Sequence, residues 1–297
     1  CPNLRHLSLQ RNTFGFKFVD EPSSQTAAAD DSAPADEDDD SGAAHAKAKI
    51  ADPLFSSVGV AALADSLAQN TTLTSLDLSF NGMRPMAFAT FVLRGAFHNR
   101  SGLVTLRLDG NPLGDGSEVA ESAAWWPSSG DHSCTTNTGE AYVPLHFLDS
   151  VFASMRDLSG LSSLHLSNIK LGQYLRTVYT TPSADDSGRR RFAASGLWFL
   201  PSTVTVLDLS HNDICPQGLE VLSEVLASEV CMLTLVSLSF EGNHRLLGGV
   251  VATNDPPREA QMLTYCHHLA GCWSRIVARH ASTLRALNLG ETYMRAV

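Results

Sequence analysis

The chain has 297 residues, 43% hydrophobic and 18% charged, with a formal net charge of −10. That apolar content excludes disorder throughout, and no stretch approaches the ~18 uninterrupted apolar residues of a membrane-spanning helix. The segment from Glu21 to Lys49 carries eight acidic and two basic residues and so supplies −6, leaving −4 for the rest; no basic stripe of the kind that neutralises phosphates is present, which speaks against nucleic acid and membrane as partners.

Leucine outnumbers isoleucine 39 to 4, the bias of one packing environment used many times. The first occurrence of an apolar-x-x-Leu-x-apolar spacing is Leu4/Leu7/Leu9. Residues 20–52 follow, rich in Ala, Ser and Asp with Asp36 to Asp40 at their centre, and are expected to be a disordered acidic insertion. The run from Gly59 to Asn70 then places Val60, Leu63 and Leu67 on one helical stripe. The spacing returns at Leu73/Leu76/Leu78 and Leu103/Leu106/Leu108.

Residues 113–144 are a second expected insertion, holding Trp125 and Trp126, one of which is a candidate interface anchor. A helical stripe of Leu148, Val151, Phe152, Met155 and Leu158 leads into the motif Leu161/Leu164/Leu166. The polar, charged segment 180–192 is a third insertion, ahead of Val204/Leu207/Leu209. Leu219, Leu222, Val225 and Leu226 form another helical stripe before Leu235/Leu238/Phe240. Residues 246–261, with the turn signal Asn254, Asp255, Pro256, Pro257, are a fourth insertion expected as a solvent loop, followed by a helical stretch through Trp273 and Ile276 and the last motif, Leu284/Leu287/Leu289. Motifs thus start near 4, 73, 103, 161, 204, 235 and 284, a base unit of about 30 residues lengthened by insertions, in a single array expected to continue in a longer parent chain.

Within each motif the last two apolar residues are two apart, as one buried face of a short strand requires. Three residues after the last apolar position stands Asn12, Asn81, Asn111, Asn212 or Asn243, with Ile169 and Thr292 in the remaining two motifs. A buried Asn amide must find backbone partners or cost a few kcal/mol, so these five are structural candidates. The pattern Leu-x-x-Leu-x-Leu-x-x-Asn is similar to that of the leucine-rich repeat family. A strand and a helix in each unit resemble its ribonuclease-inhibitor-like subfamily. The resemblance implies that each Asn ties one coil to the next, with a weaker or different tie at Ile169 and Thr292.

The expected fold class is α/β: a curved, horseshoe-like leucine-rich repeat solenoid with a parallel sheet on the concave face, helices on the convex face, and loop insertions. One unit cannot bury its leucines alone, since each is worth only ~1.5–3 kcal/mol when covered against ~1–2 kcal/mol of backbone ordering per residue. Stacking supplies the rest.

Residues flanking the inward leucines are expected to point out across the concave face. The middle column is Ser8, Asp77, Arg107, His165, Asp208, Ser239 and Asn288; one flank is His6, Ser75, Thr105, Ser163, Val206, Ser237 and Ala286; the other is Gln10, Ser79, Asp109, Ser167, Ser210, Glu241 and Gly290. Of these, His6, Asp77, Arg107, Asp109, His165, Asp208, Glu241 and Asn288 are the candidate partner contacts, because charge steers protein association.

Signals for chemistry are weak. Cys266, His267, His268 and Cys272 are the one local cluster of metal-capable side chains, but on a helix only 268 and 272 face together, short of the three or four ligands of a zinc site. No nucleophile elbow, phosphate-cradling glycine loop or paired-His motif occurs, so neither catalysis nor a cofactor nor a metal is expected. Six widely spread cysteines favour a reducing compartment, hence a cytoplasmic location, although sequons at Asn70 and Asn99 point the other way. The expected function is a protein-binding or scaffold module that takes a partner protein on its concave sheet. The resemblance also implies one alternative, a regulator of a small GTPase of the GTPase-activating type; the fragment-like ends and long insertions suggest another, a structural subunit of a cytoskeletal or ciliary assembly.

Overall fold

Each motif's two-residue period makes a strand, and the seven strands stack in chain order. The computed structural model describes residues 3–12, 58–84, 87–88, 91–92, 95–97, 101–115, 147–156, 158–180, 196–228, 233–246 and 256–292. The acidic insertion at 20–52, Trp125 and Trp126, Asn99, most of 113–144 and nearly all of 180–192 lie outside the described residues. Strands β1 (His6–Ser8), β2 (Ser75–Asp77), β3 (Thr105–Arg107), β4 (Ser163–His165), β5 (Val206–Asp208), β6 (Ser237–Ser239) and β7 (Ala286–Asn288) form one parallel sheet.

The register aligns like with like. Leu7, Leu76, Leu106, Leu164, Leu207, Leu238 and Leu287 are consecutive partners across the sheet. The five inner members of this column are buried, whereas Leu7 and Leu287, packed on one side only, are half-buried. Parallel columns of Leu73, Leu103, Leu161, Val204 and Leu235, and of Leu78, Leu108, Leu166, Leu209 and Phe240, complete the sheet's contribution to the core.

The other half of the core comes from the connections. Helix α1 (Val58–Ala68) buries Val60, Ala64 and Leu67; α2 (Phe147–Met155) buries Leu148, Val151, Phe152 and Met155. Helix α3 (Leu171–Thr180) buries Leu171, Tyr174, Leu175 and Val178 and is joined to β5 through a 3-10 turn, Gly196–Phe199. Helix α4 (Pro216–Ala227) opens on a proline, whose fixed φ and missing N–H suit a first turn, and packs against α3 and α5 (Pro256–Arg279). Helix α5 therefore takes in residues 256–261, which the turn signal had placed in a solvent loop: a proline pair breaks a helix interior but can start one. Between β2 and β3 three phenylalanines fill the core, with Phe88, Phe91 and Phe97 ring centroids 5.7, 5.9 and 5.5 Å apart. Helices are about 10 Å across and strands about 4.8 Å apart, so the stack curves with the sheet on its concave side.

Polar side chains tie coil to coil at both ends of the sheet's strands, though not at every junction. At the C-terminal end the Asn81 side-chain oxygen accepts the Asn12 amide at 2.7 Å, and Asn111 accepts the amides of Asn81 and Met83 at 3.1 and 3.0 Å. Asn212 accepts those of Ile169 and Leu171 at 2.9 and 3.2 Å, and Asn243 those of Asn212 and Ile214, both at 3.0 Å. Each side-chain nitrogen donates to carbonyls, as Asn212 does to Leu166 at 2.7 Å and Ser210 at 3.1 Å. At the N-terminal end the hydroxyls of Thr72, Thr203 and Thr283 donate to the carbonyls of Leu4, Leu161 and Leu235 at 3.0, 2.7 and 2.9 Å.

Where Ile169 replaces Asn the tie is made by other groups. Gly114 donates its amide to the Ile169 carbonyl at 2.7 Å, and Lys170 pairs with Asp115 at 3.2 Å. Thr292 turns its hydroxyl onto its own coil, donating to Leu289 at 2.8 Å.

Immediately before the Asn position the backbone is left-handed in every coil: Arg11, Phe80, Gly110, Asn168, His211, Gly242 and Glu291 have φ between 53 and 69°. Glycine adopts this conformation freely, and other residues at a cost of ~1–2 kcal/mol. Five coils bear that cost, and in each the turn sets the direction of the residue that follows, Asn12, Asn81, Ile169, Asn212 or Thr292.

Candidate functional site

The exposed face of the sheet carries the three columns expected from the strand period. The pairing of His6, Ser75, Thr105, Ser163, Val206, Ser237 and Ala286, and of Ser8, Asp77, Arg107, His165, Asp208, Ser239 and Asn288, is residue for residue. Of the candidate contacts, His6 and Asn288 sit on opposite outer strands, whereas Arg107, Asp109, His165 and Asp208 come together on β3 to β5. The side chains differ sharply in how far the fold already uses them.

Most of the acids hold backbone amides. Asp77 accepts the Ser79 amide at 2.9 Å, and Asp208 accepts the Ser210 amide at 3.0 Å together with the Ser210 hydroxyl. Asn288 caps Gly290 in the same way at 3.0 Å and donates to Glu241 at 2.7 Å. His165 has no oxygen with which to cap the equivalent Ser167 amide, and Asp109 of the preceding coil accepts it instead, at 2.8 Å. Burial pushes the Asp109 carboxyl above its usual value, opposed by the Ser167 amide and the nearby His165 and Arg107 charges.

His165 is gripped from two sides. One ring nitrogen, Nε2, lies 2.9 Å from the Ser163 hydroxyl, and Nδ1 lies 3.6 Å from the second oxygen of Asp208. Burial alone would raise the Asp208 carboxyl, but bonding to His165 and Ser210 outweighs it and holds that group below the ordinary carboxylate value. Hydroxyl, imidazole and carboxylate are connected in the order of an acyl-transfer relay. The strand amides beside them, however, are ladder donors: Ser163 donates to Val104 at 3.0 Å and Val206 to Ser162 at 2.9 Å. Those amides are thus unavailable to an oxyanion, and the two contacts fix the position of the imidazole.

Arg107 is different. It is exposed, and among the described residues no hydrogen bond or ion pair engages its guanidinium, which attracts Asp109 only through space.

The left-handed column adds a feature that the two-residue period does not reveal. Phe80 is an exposed large hydrophobic, with 44% of its surface accessible. Its ring lies over the α-carbon of Gly110, where a Cβ would stand 2.2 Å from a ring carbon, and the Arg11 guanidinium is 5.7 Å from its centroid on the neighbouring coil. His211 covers Gly242 in the same way. The available signal was the residue preceding each Asn, glycine in two coils and large where the next coil has glycine.

Elsewhere, His268 lies 3.9 Å from Cys272 and 3.3 Å from Glu220. Among the described residues no group of three or more His, Cys, Asp and Glu side chains is placed to hold a metal ion. Cys215, Cys266 and Cys272 are free thiols.

A family model described as Leucine Rich repeat matches residues 69–85 and 201–223, the segments that contain β2 and β5. Among solved structures, the leucine-rich repeat-containing protein LegL7 from Legionella pneumophila is similar at 16% identity over 77% of this chain and 69% of that one, with a TM-score of 0.30. No curated protein matches. The repeated motif, the Asn ties and the single-register parallel sheet are those of a leucine-rich repeat array.

Proposed function

We propose that the chain is a protein-binding module whose partner protein docks on the concave face of the sheet. The observation that carries this reading is the concave face itself, seven strands in one register with charged side chains gathered on β3 to β5 and small hydroxyl residues around them. Small polar neighbours let a partner approach the strands closely, and the charged centre orients it. No helix among the described residues is long and apolar enough to cross a membrane.

The test is affinity capture by the full-length protein with quantitative mass spectrometry, repeated with Ser75→Arg, Thr105→Arg and Ser237→Arg together. These positions lie on one outward-facing, half-buried column and take no part in the ties described above. Partners that bind the face should be lost from the triple variant while its circular dichroism and melting temperature stay unchanged. Retention of every partner by a folded triple variant would place recognition on another surface.

A further inference from the structure

We propose that the concave face reads a single carboxylate of its partner, an Asp or Glu side chain, through Arg107. This rests on the docking face argued above and deepens it by naming the partner's chemistry. The face has more acids than bases, so a simple count of charge favours a basic partner; the bonding of those acids argues the opposite.

Both carboxylate oxygens of Asp109 are in use, one on the Ser167 amide at 2.8 Å and the other facing the Ser79 hydroxyl at 3.5 Å. Both of Asp208 are in use, on Ser210 and towards His165 at 3.6 Å. Glu241 accepts from Asn288 at 2.7 Å, and Asp77 from the Ser79 amide at 2.9 Å. At Asp109 and Asp208 a cation arriving from a partner would have to compete with bonds that hold the turns together, whereas Asp77 and Glu241 each have one oxygen engaged.

Arg107 has the reverse character. It projects from the exposed side of β3, with Asp77 and His165 as its registered neighbours and Thr105 two residues before it on the same face. Its planar fork offers five N–H donors, and none is taken by the described fold. A carboxylate matches that fork with two parallel hydrogen bonds, the strongest pairing open to a side chain of this type. Asp77 on the neighbouring strand and Asp109 two residues on would repel further negative charge, so the preferred ligand is one carboxylate flanked by neutral residues, and an acidic run is disfavoured.

The probe is a displayed library of random peptides, panned on the immobilised full-length protein in low salt. Peptides recovered from the wild type should share one Asp or Glu and avoid acidic runs. Arg107→Ala should abolish that enrichment and weaken the best peptide about tenfold or more, Arg107→Lys should restore it in part, and Asp77→Asn should admit acidic runs while leaving the dependence on Arg107 in place. Enrichment of Lys or Arg overturns the proposal, as does an Asp or Glu preference indifferent to Arg107→Ala. The two readings fail differently: peptides blocked by Ser75→Arg and Ser237→Arg but indifferent to Arg107 refute only the carboxylate, whereas peptides indifferent to both sets, or no peptides at all, refute the docking face as well.

Discussion

The Asp109 carboxylate accepts the backbone amide of Ser167 from the next coil, at the junction where Ile169 takes the place of the coil-linking asparagine. Two irregularities of the repeat, His165 where a capping oxygen usually stands and Ile169 where Asn usually stands, fall in the same coil. One aspartate from the coil before it offsets the first of them.

Asp109→Ala should therefore behave as a structural lesion more than as a lost contact. It leaves the Ser167 amide without its acceptor, at a cost of about 1–3 kcal/mol, and hydrogen exchange should quicken at Ser167 and its neighbours. Unaltered exchange there would show that water replaces the carboxylate without penalty.

Asn212 bonds four backbone groups in two coils and is 1% exposed, whereas Asn12 lies on the outermost coil and is exposed. Asn212→Ala should cost about 3 kcal/mol or more, since several buried groups lose partners together, and Asn12→Ala less than about 1 kcal/mol. Because the coils interact only with their neighbours, urea unfolding of the Asn212 variant should separate into two phases, and a single unshifted transition would contradict the tie.

Gly110 has φ +69° and the Phe80 ring over its α-carbon. Gly110→Ala meets both the left-handed strain of ~1–2 kcal/mol and the ring. Phe80→Ala should relieve only the steric part, so a double-mutant cycle on thermal stability should show coupling of about 1 kcal/mol. Additive effects would mean that the ring swings away freely.

His280 is buried between two coils, with Nε2 2.9 Å from the Leu226 carbonyl and Nδ1 accepting the Leu235 amide at 3.4 Å. Burial lowers its pKa from the ordinary 6.5, against the Leu226 bond that raises it. The unfolded chain then takes up the proton first as pH falls, so this contribution to stability is complete above about pH 6.5 and is lost on acidification towards the lower folded value. Melting temperatures from pH 7.5 to 5 should fall more steeply for the wild type than for His280→Gln, which is less stable at neutral pH but lacks this titration. Parallel curves would dismiss the histidine as the cause.

Periodic features were the legible ones. Two-residue and helical spacings placed the strands, their outward columns, and the inward stripes of α1, α2 and α4. Helix α3 escaped notice although Leu171, Tyr174, Leu175 and Val178 have helical spacing, because its start follows the motif directly and its end runs into a charged segment. Asp77, Asp109 and Asp208 read as exposed charges, and only their partners in space show that they hold turns.

Spacing alone is enough to specify a stacked array, since burying one stripe of leucines per unit has a single solution that repeats. It also assigns each residue to the inside or the outside of the sheet. Whether an outward charge is spent on the fold or left for a partner depends on atoms contributed by coils some thirty to sixty residues away. That is why Arg107 and Asp109, two residues apart and equally polar, differ in whether the fold engages them: the reach of a hydrogen bond is about 3 Å, and such proximity exists only once the coils are stacked.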